Sequence, residues 1–145
     1  MPNNVYINNI ARFLPNEPVS NDEMESILGM VNDKPSRSRR IVLRQNGIQN
    51  RYYVIDKNGD IKYNNAEITA NAVKNLENEH FYINDIEVLS CGTSLPDQML
   101  TSHASMVHGK LENKTLEVMS PSGVCCAGMH SLKYAQLNPL LKPFD

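Results

Sequence analysis

Between residues 64 and 137 the spacing of apolar side chains switches repeatedly between the helical and the strand period. That alternation restricts the fold more than any other feature. In "NNAEITANAVKNLENEH" (64–80), Ile68, Ala72, Val73 and Leu76 fall on one helical face. "DIEVLSCGTS" (85–94) is a strand ending in small residues, and "DQMLTSHASMVHGKL" (97–111) returns to helical spacing with Leu100, Ala104, Val107 and Leu111. "TLEVMSPSG" (115–123) is a second strand and "CAGMHSLKYAQL" (126–137) a third helix. Helix, strand, helix, strand, helix predicts parallel strands covered by helices, an α/β layer architecture. The helical pattern is expected to stop at Asn138-Pro139, because proline removes a helix hydrogen bond and crowds the preceding turn.

The first 63 residues are less regular. "VYINNIARFLP" (5–15) alternates apolar and polar residues up to Pro15, as a strand does. "SNDEMESILGM" (20–30) predicts a short helix, with Ser20 or Asn21 as cap, Glu23 placed for a capping box, and Met24, Ile27 and Leu28 at helical spacing. Residues 34–51 carry Lys34, Arg37, Arg39, Arg40, Arg44 and Arg51, interrupted by Pro35 and Gly47. "RYYVID" (51–56) reads as a strand, and Asn58-Gly59 as a turn.

A chain of 145 residues is expected to form one domain with a sizeable core. Its net charge of −2 gives no reason to expect nucleic acid or an anionic membrane as partner. No apolar run approaches the ~18 residues that span a bilayer, and the first residues lack a basic-then-apolar leader, so a cytoplasmic location is expected. Three cysteines, an odd number, then point to thiols rather than a disulfide framework.

Two patterns imitate metal sites. "DKNGDIKYNNAE" (56–67) sets Asp56, Asn58, Asp60 and Glu67 at calcium-loop positions, but Ile61 stands where that loop needs glycine, so a polar hairpin turn is expected. His103 and His108 lie five residues apart, about 140° around a helix, whereas zinc ligands on a helix prefer closer spacing. Solvated or core-edge histidines are expected, and no metal. The basic stretch 34–51 is either a solvated surface or an anion site suited to a phosphate-bearing ligand.

The remaining oddity is the adjacent pair Cys125-Cys126 in "LEVMSPSGVCCAGMHSLKYAQ" (116–136). A thiol becomes nucleophilic as thiolate, which a helix N-terminus favours through free N–H groups and the positive end of its dipole. Cys126 precedes the small Ala127-Gly128 and a helical pattern, which places its sulfur at the helix start with room for a substrate. Burial of both cysteines as small apolar side chains is the competing reading.

The order of these segments resembles the N-terminal half of the ketoacyl-acyl-carrier-protein synthase III family, condensing enzymes of the thiolase fold. The resemblance covers roughly residues 5–136. It runs through "FLPNEPVSNDEM", "NGIQNRYY", "ITANAVKNL", "IEVLSCGTSLPD", "LTSHASMVHGKL" and "LEVMSPSGVCCAGMHSLKYA". Cys-Ala-Gly at the head of a helix is its most specific piece.

The resemblance implies a thiolase-like half with a mostly parallel sheet, helices packed on it, and the nucleophile at a strand-to-helix turn. It makes Cys126 the acyl-accepting nucleophile, attacking an acyl-CoA or acyl-carrier-protein thioester, with its backbone N–H in the oxyanion hole. Decarboxylation of a malonyl-thioester would then supply the carbanion, as in fatty-acid or polyketide-like biosynthesis. The phosphopantetheine thioester is substrate, and no separate cofactor is implied. Leu100 falls where the family lends an apolar side chain to a partner's acyl pocket, and "TLEVMSP" where a two-fold interface lies, so a homodimer is expected. The family's catalytic histidine and asparagine lie in its second half; His103, His108 and His130 match neither, and the adenine-stacking tryptophan has no counterpart here. An incomplete domain, inactive alone in condensation, is therefore expected. A non-catalytic dimerisation partner of the same fold is the alternative, and a structural thiol protein a third reading.

Overall fold

The structure, a computed structural model, describes residues 4–141, the last three by their backbone alone. They form two compact units: Leu14–Asn64, and the described residues on either side of it.

In the first unit, β1 (Val19–Ser20) pairs antiparallel with β2 (Asn50–Arg51), Val19 opposite Arg51. The strand expected over 51–56 contributes little more than Arg51 to this ladder. The Ser20–Glu23 bonds of the expected box form in the turn ahead of the helix, whose N-cap is Glu23 rather than Ser20: Ser20 N–H and Oγ donate to the Glu23 carboxylate at 3.1 and 2.7 Å, and Glu23 N–H donates back to Ser20 Oγ at 3.3 Å. These bonds hold the Glu23 carboxyl below the usual carboxylate range. Helix α1 (Met24–Leu28) follows. Helix α2 (Arg39–Asn46) lies inside the basic stretch, where the residue pattern predicts none. Dense cations between Pro35 and Gly47 obscured it, yet Gly47 takes φ 68°, the left-handed conformation that ends helices. The hairpin turn at 56–60 is present, closed by Asp56 N–H to Asp60 O at 2.9 Å and an Ile55–Ile61 bridge. Its carboxylates Asp56 and Asp60 both pair with Lys62, at 3.2 and 3.6 Å.

The second unit follows the order read from the sequence. Its elements are α3 (Asn65–Lys74), a 3-10 turn (Ile83–Asp85), β3 (Val88–Ser90), α4 (His103–Leu111), β4 (Glu117–Met119) and α5 (Ala127–Leu141). β3 and β4 pair in parallel, Val88 opposite Glu117 and Ser90 opposite Met119. The ladder continues beyond both strands through Cys91 N–H to Met119 O and Thr93 N–H to Pro121 O.

One core holds this unit together: Ala66, Ala70, Ile83, Leu89, Cys91, Ala104, Val107 and Leu111, with Val73 against it. The line of α3 against this core is therefore Ala66–Ala70–Val73, so that of the expected Ile68, Ala72, Val73 and Leu76 it includes Val73. Alanines on α3 and Ala104 on α4 let the two helices approach closely, since side-chain size sets interhelical distance.

Three expected elements differ. Residues 5–15 form no strand; without a partner ladder the segment is held by side chains, Asn9 Nδ2 to Leu76 O and Asn75 Nδ2 to Arg12 O. The helix expected from residue 97 starts at His103, because Ser102 takes extended backbone and caps it by accepting from Ser105 N–H. Leu100 thus lies in the preceding loop, while Ala104, Val107 and Leu111 are buried as expected. Finally, α5 continues through Asn138-Pro139 to Leu141. The Asn138 amide donates to both oxygens of Glu117 on β4, at 3.1 and 3.0 Å, and Tyr134 donates to the same carboxylate. These ties fasten the helix where proline weakens it.

Candidate functional site

The site forms where the parallel pair ends. Beyond β4 the chain runs Ser120-Pro121-Ser122, with Ser122 bridged in parallel to Thr93. Ser94 Oγ donates to Gly123 O at 3.4 Å, binding the loop after β3 to the turn before α5. Gly123 takes φ 152° and Cys125 φ 69°. Around Cys125 the backbone closes a γ-turn, in which Cys126 N–H donates to Val124 O at 2.9 Å. The Cys126 carbonyl accepts from His130 N–H at 2.9 Å, the first bond of α5, so Cys126 occupies the N-cap position.

The three cysteines separate. Cys125 and Cys126 are exposed, whereas Cys91 is buried in the core, where burial pushes its thiol up to about 11. The buried, inert role considered for the pair belongs instead to Cys91.

The loop between β3 and α4 carries Leu100, 87% exposed, beside exposed Leu95 and Met99. Its base is fixed to α3. The Asp97 carboxylate accepts from Asn65 and Ala66 N–H at 2.7 and 2.8 Å, and Asn65 Nδ2 donates to Thr93 Oγ1 and Leu95 O. Asp97 thereby satisfies donors at the start of α3, where a carboxylate also meets the favourable end of the dipole. No local pattern signals this tie, because the two segments lie about thirty residues apart.

Next to that base, a cavity of about 350 Å³ is lined by Thr93, Met99, Ser102, His103, Ser120 and Ser122 among others. His103, expected at a solvated or core-edge position, is only 4% exposed because α3 covers it; its Nε2 lies 3.3 Å from Thr69 Oγ1. Burial holds its pKa below the ordinary histidine value, with Asp97 opposing weakly. Ser120 Oγ accepts from Ala104 N–H at 2.6 Å, joining the end of β4 to the start of α4. His108 sits at the core edge, its Nε2 3.1 Å from Lys114 O. Among the described residues no cluster of histidine, cysteine and carboxylate side chains could hold a metal ion. No helix among them is long and apolar enough to cross a membrane.

In the other unit, Arg39, Arg40 and Arg44 of α2 line a cavity of about 470 Å³ with Asn21, Leu43 and Gln49. Arg39 pairs with Glu25 at 3.0 Å and Arg51 donates to Asn21 Oδ1, so part of the basic stretch is structural.

No protein-family model matches the chain. It is similar to a β-ketoacyl-[acyl-carrier-protein] synthase III of Rickettsia prowazekii, 28% identical over 123 residues, 85% of this chain and 35% of that protein. The synthase III of Rickettsia typhi is 27% identical over 121 residues, 83% of this chain and 35% of its own. Among solved structures, a tetronic acid condensing enzyme superposes with a TM-score of 0.73 at 20% identity, over 92% of this chain and 39% of that one. The chain thus spans about a third of the length of the curated relatives it matches. The resemblance read from the residues is borne out: the chain is an α/β protein similar, over most of its length, to part of a β-ketoacyl-acyl-carrier-protein synthase III and of condensing-enzyme fold.

Proposed function

We propose that this chain carries the acylation chemistry of a synthase III-type condensing enzyme, with Cys126 as nucleophile. The Cys126 sulfur attacks the carbonyl of an acyl-CoA or acyl-carrier-protein thioester. A new carbon–sulfur bond forms as the substrate's own breaks, and the CoA or phosphopantetheine thiol leaves with the proton. One observation carries this reading: Cys126 is exposed at the N-cap of a 15-residue helix, at the end of the parallel pair. Condensation with a decarboxylating malonyl-thioester would follow in fatty-acid or polyketide-like biosynthesis, in the cytoplasm. The family's histidine and asparagine have no counterpart in these residues, so the chain alone is expected to stop at the acyl-enzyme. Assembly as a homodimer through residues 115–121, with Leu100 lent to the partner's acyl pocket, completes the proposal and is read by light scattering. Exposed Val118 and Met119 on β4 support that interface.

A second reading has its own observation. The Cys126 N–H, which acyl transfer needs for the oxyanion, donates to Val124 O, and that favours a non-catalytic partner of the same fold. Peptide mass spectrometry after incubation with an acyl-thioester separates the two. Acylation at Cys126, lost in Cys126→Ala and kept in Cys125→Ala, supports the nucleophile. An adduct that follows Cys125, or none at all, sinks it.

A further inference from the structure

Resting on the reading of Cys126 as nucleophile, we propose that Gly92 is its positioning residue, setting how closely the head of α5 sits against the end of β3. Strand alternation turns Leu89 and Cys91 toward the core of α3 and α4, and Ser90 and Gly92 toward the opposite face. On that face the first turn of α5 abuts the strand backbone itself. A Cβ added at Gly92 would lie 2.5 Å from the carbonyl carbon of Ala127, closer still to its oxygen, and 2.7 Å from Ser131 Oγ. Atoms do not approach so closely, so any side chain at position 92 must displace α5 or the strand.

Ala127 and Ser131 are correspondingly buried, 4% and 8% exposed. Ala127 directly follows Cys126, so a shift of its carbonyl moves the nucleophile. The neighbouring residue Thr93 is fixed independently of α5, by Asn65 on α3 and by Pro121. Displacing α5 therefore changes the position of Cys126 relative to a loop that stays in place. Contacts at the other end of the helix, from Tyr134 and Asn138 to Glu117, cannot correct a displacement at its head.

The test measures the rate of Cys126 acylation by acetyl-CoA, by mass spectrometry of the full chain, with iodoacetamide labelling of Cys125 and a melting curve on the same samples. Gly92→Ala is expected to lower the maximal acylation rate about 100-fold, the order expected for an ångström-scale misplacement. The half-saturating acetyl-CoA concentration and the labelling of exposed Cys125 stay as in the unaltered chain, and melting stays cooperative but at a lower temperature. Adding Ser131→Ala clears the hydroxyl but not the Ala127 carbonyl, so it does not restore the rate; restoration would overturn the assignment to the backbone contact. If Gly92→Ala does not fold, Ser131→Thr crowds the same contact from the helix side. An unchanged acylation rate in Gly92→Ala, or in Ser131→Thr, overturns the proposal. Acylation absent from the unaltered chain sinks the nucleophile reading and this inference with it. Acylation equal in the unaltered chain and Gly92→Ala sinks the role of Gly92 alone.

Discussion

Helices α4 and α5 each follow a strand of the same parallel pair, yet they are held in opposite ways. α4 opens on the Ser102 cap and buries Ala104, Val107 and Leu111 against α3 and β3. α5 opens on two exposed cysteines, buries the small Ala127 and Ser131, and leaves Met129 and Leu132 65% and 51% exposed. Its remaining ties are polar, from Tyr134 and Asn138 to Glu117. Apolar burial makes α4 a scaffold. A close backbone approach and a few polar bonds hold α5 while keeping its head accessible.

The widest contrast is among the thiols on the two faces of β3. With its thiol pushed up to about 11, Cys91 holds roughly a thousandth of its population as thiolate near pH 8, and the thiolate is the reactive form. Iodoacetamide mapping should therefore label exposed Cys125 and Cys126 first and buried Cys91 last, by on the order of a hundredfold. Early labelling of Cys91 would mean that the α3–α4 face is open.

Stability should show the same asymmetry. Leu111→Ala removes a side chain that is 6% exposed and is expected to cost about 3 kcal/mol in urea unfolding. Leu132→Ala, on the exposed part of α5, should stay within about 0.5 kcal/mol. Comparable losses would show that both helices are scaffolds and would remove the contrast.

A smaller effect belongs to His103 at the start of α4. Its pKa is lowered by burial, so the unfolded chain binds a proton as pH falls through about 6.5 while the folded chain does not. The stability contributed by the neutral ring is full above that pH and declines as pH drops toward the folded value. Melting at about pH 5 should come below that at about pH 7, and His103→Gln should narrow the gap. A gap that persists in the variant would assign the pH dependence to other groups.

The element order of residues 64–137 was legible because period 3.6 and period 2 are written locally, and the Ser20–Glu23 box because its partners sit three residues apart. Cys126 at a helix start was legible for the same reason, from Cys-Ala-Gly ahead of an apolar period. The strand expected over 5–15 failed because alternation states only that a segment suits a sheet, and a strand exists only with a partner to accept its hydrogen bonds. α4 starts six residues later than the helical period through Leu100 suggests, because the cap at Ser102 decides the boundary.

The helix–strand alternation, the cysteine at the head of α5 and the likeness to a condensing enzyme follow from the order of residues alone, since each depends on residues close together in the chain or on their order. Which cysteine is buried, the tie of Asp97 between the Leu100 loop and α3, the enclosure of His103 and the approach of Gly92 to Ala127 emerge on folding. Those facts arise between segments tens of residues apart, where short-range excluded volume and desolvation act only after the chain has folded.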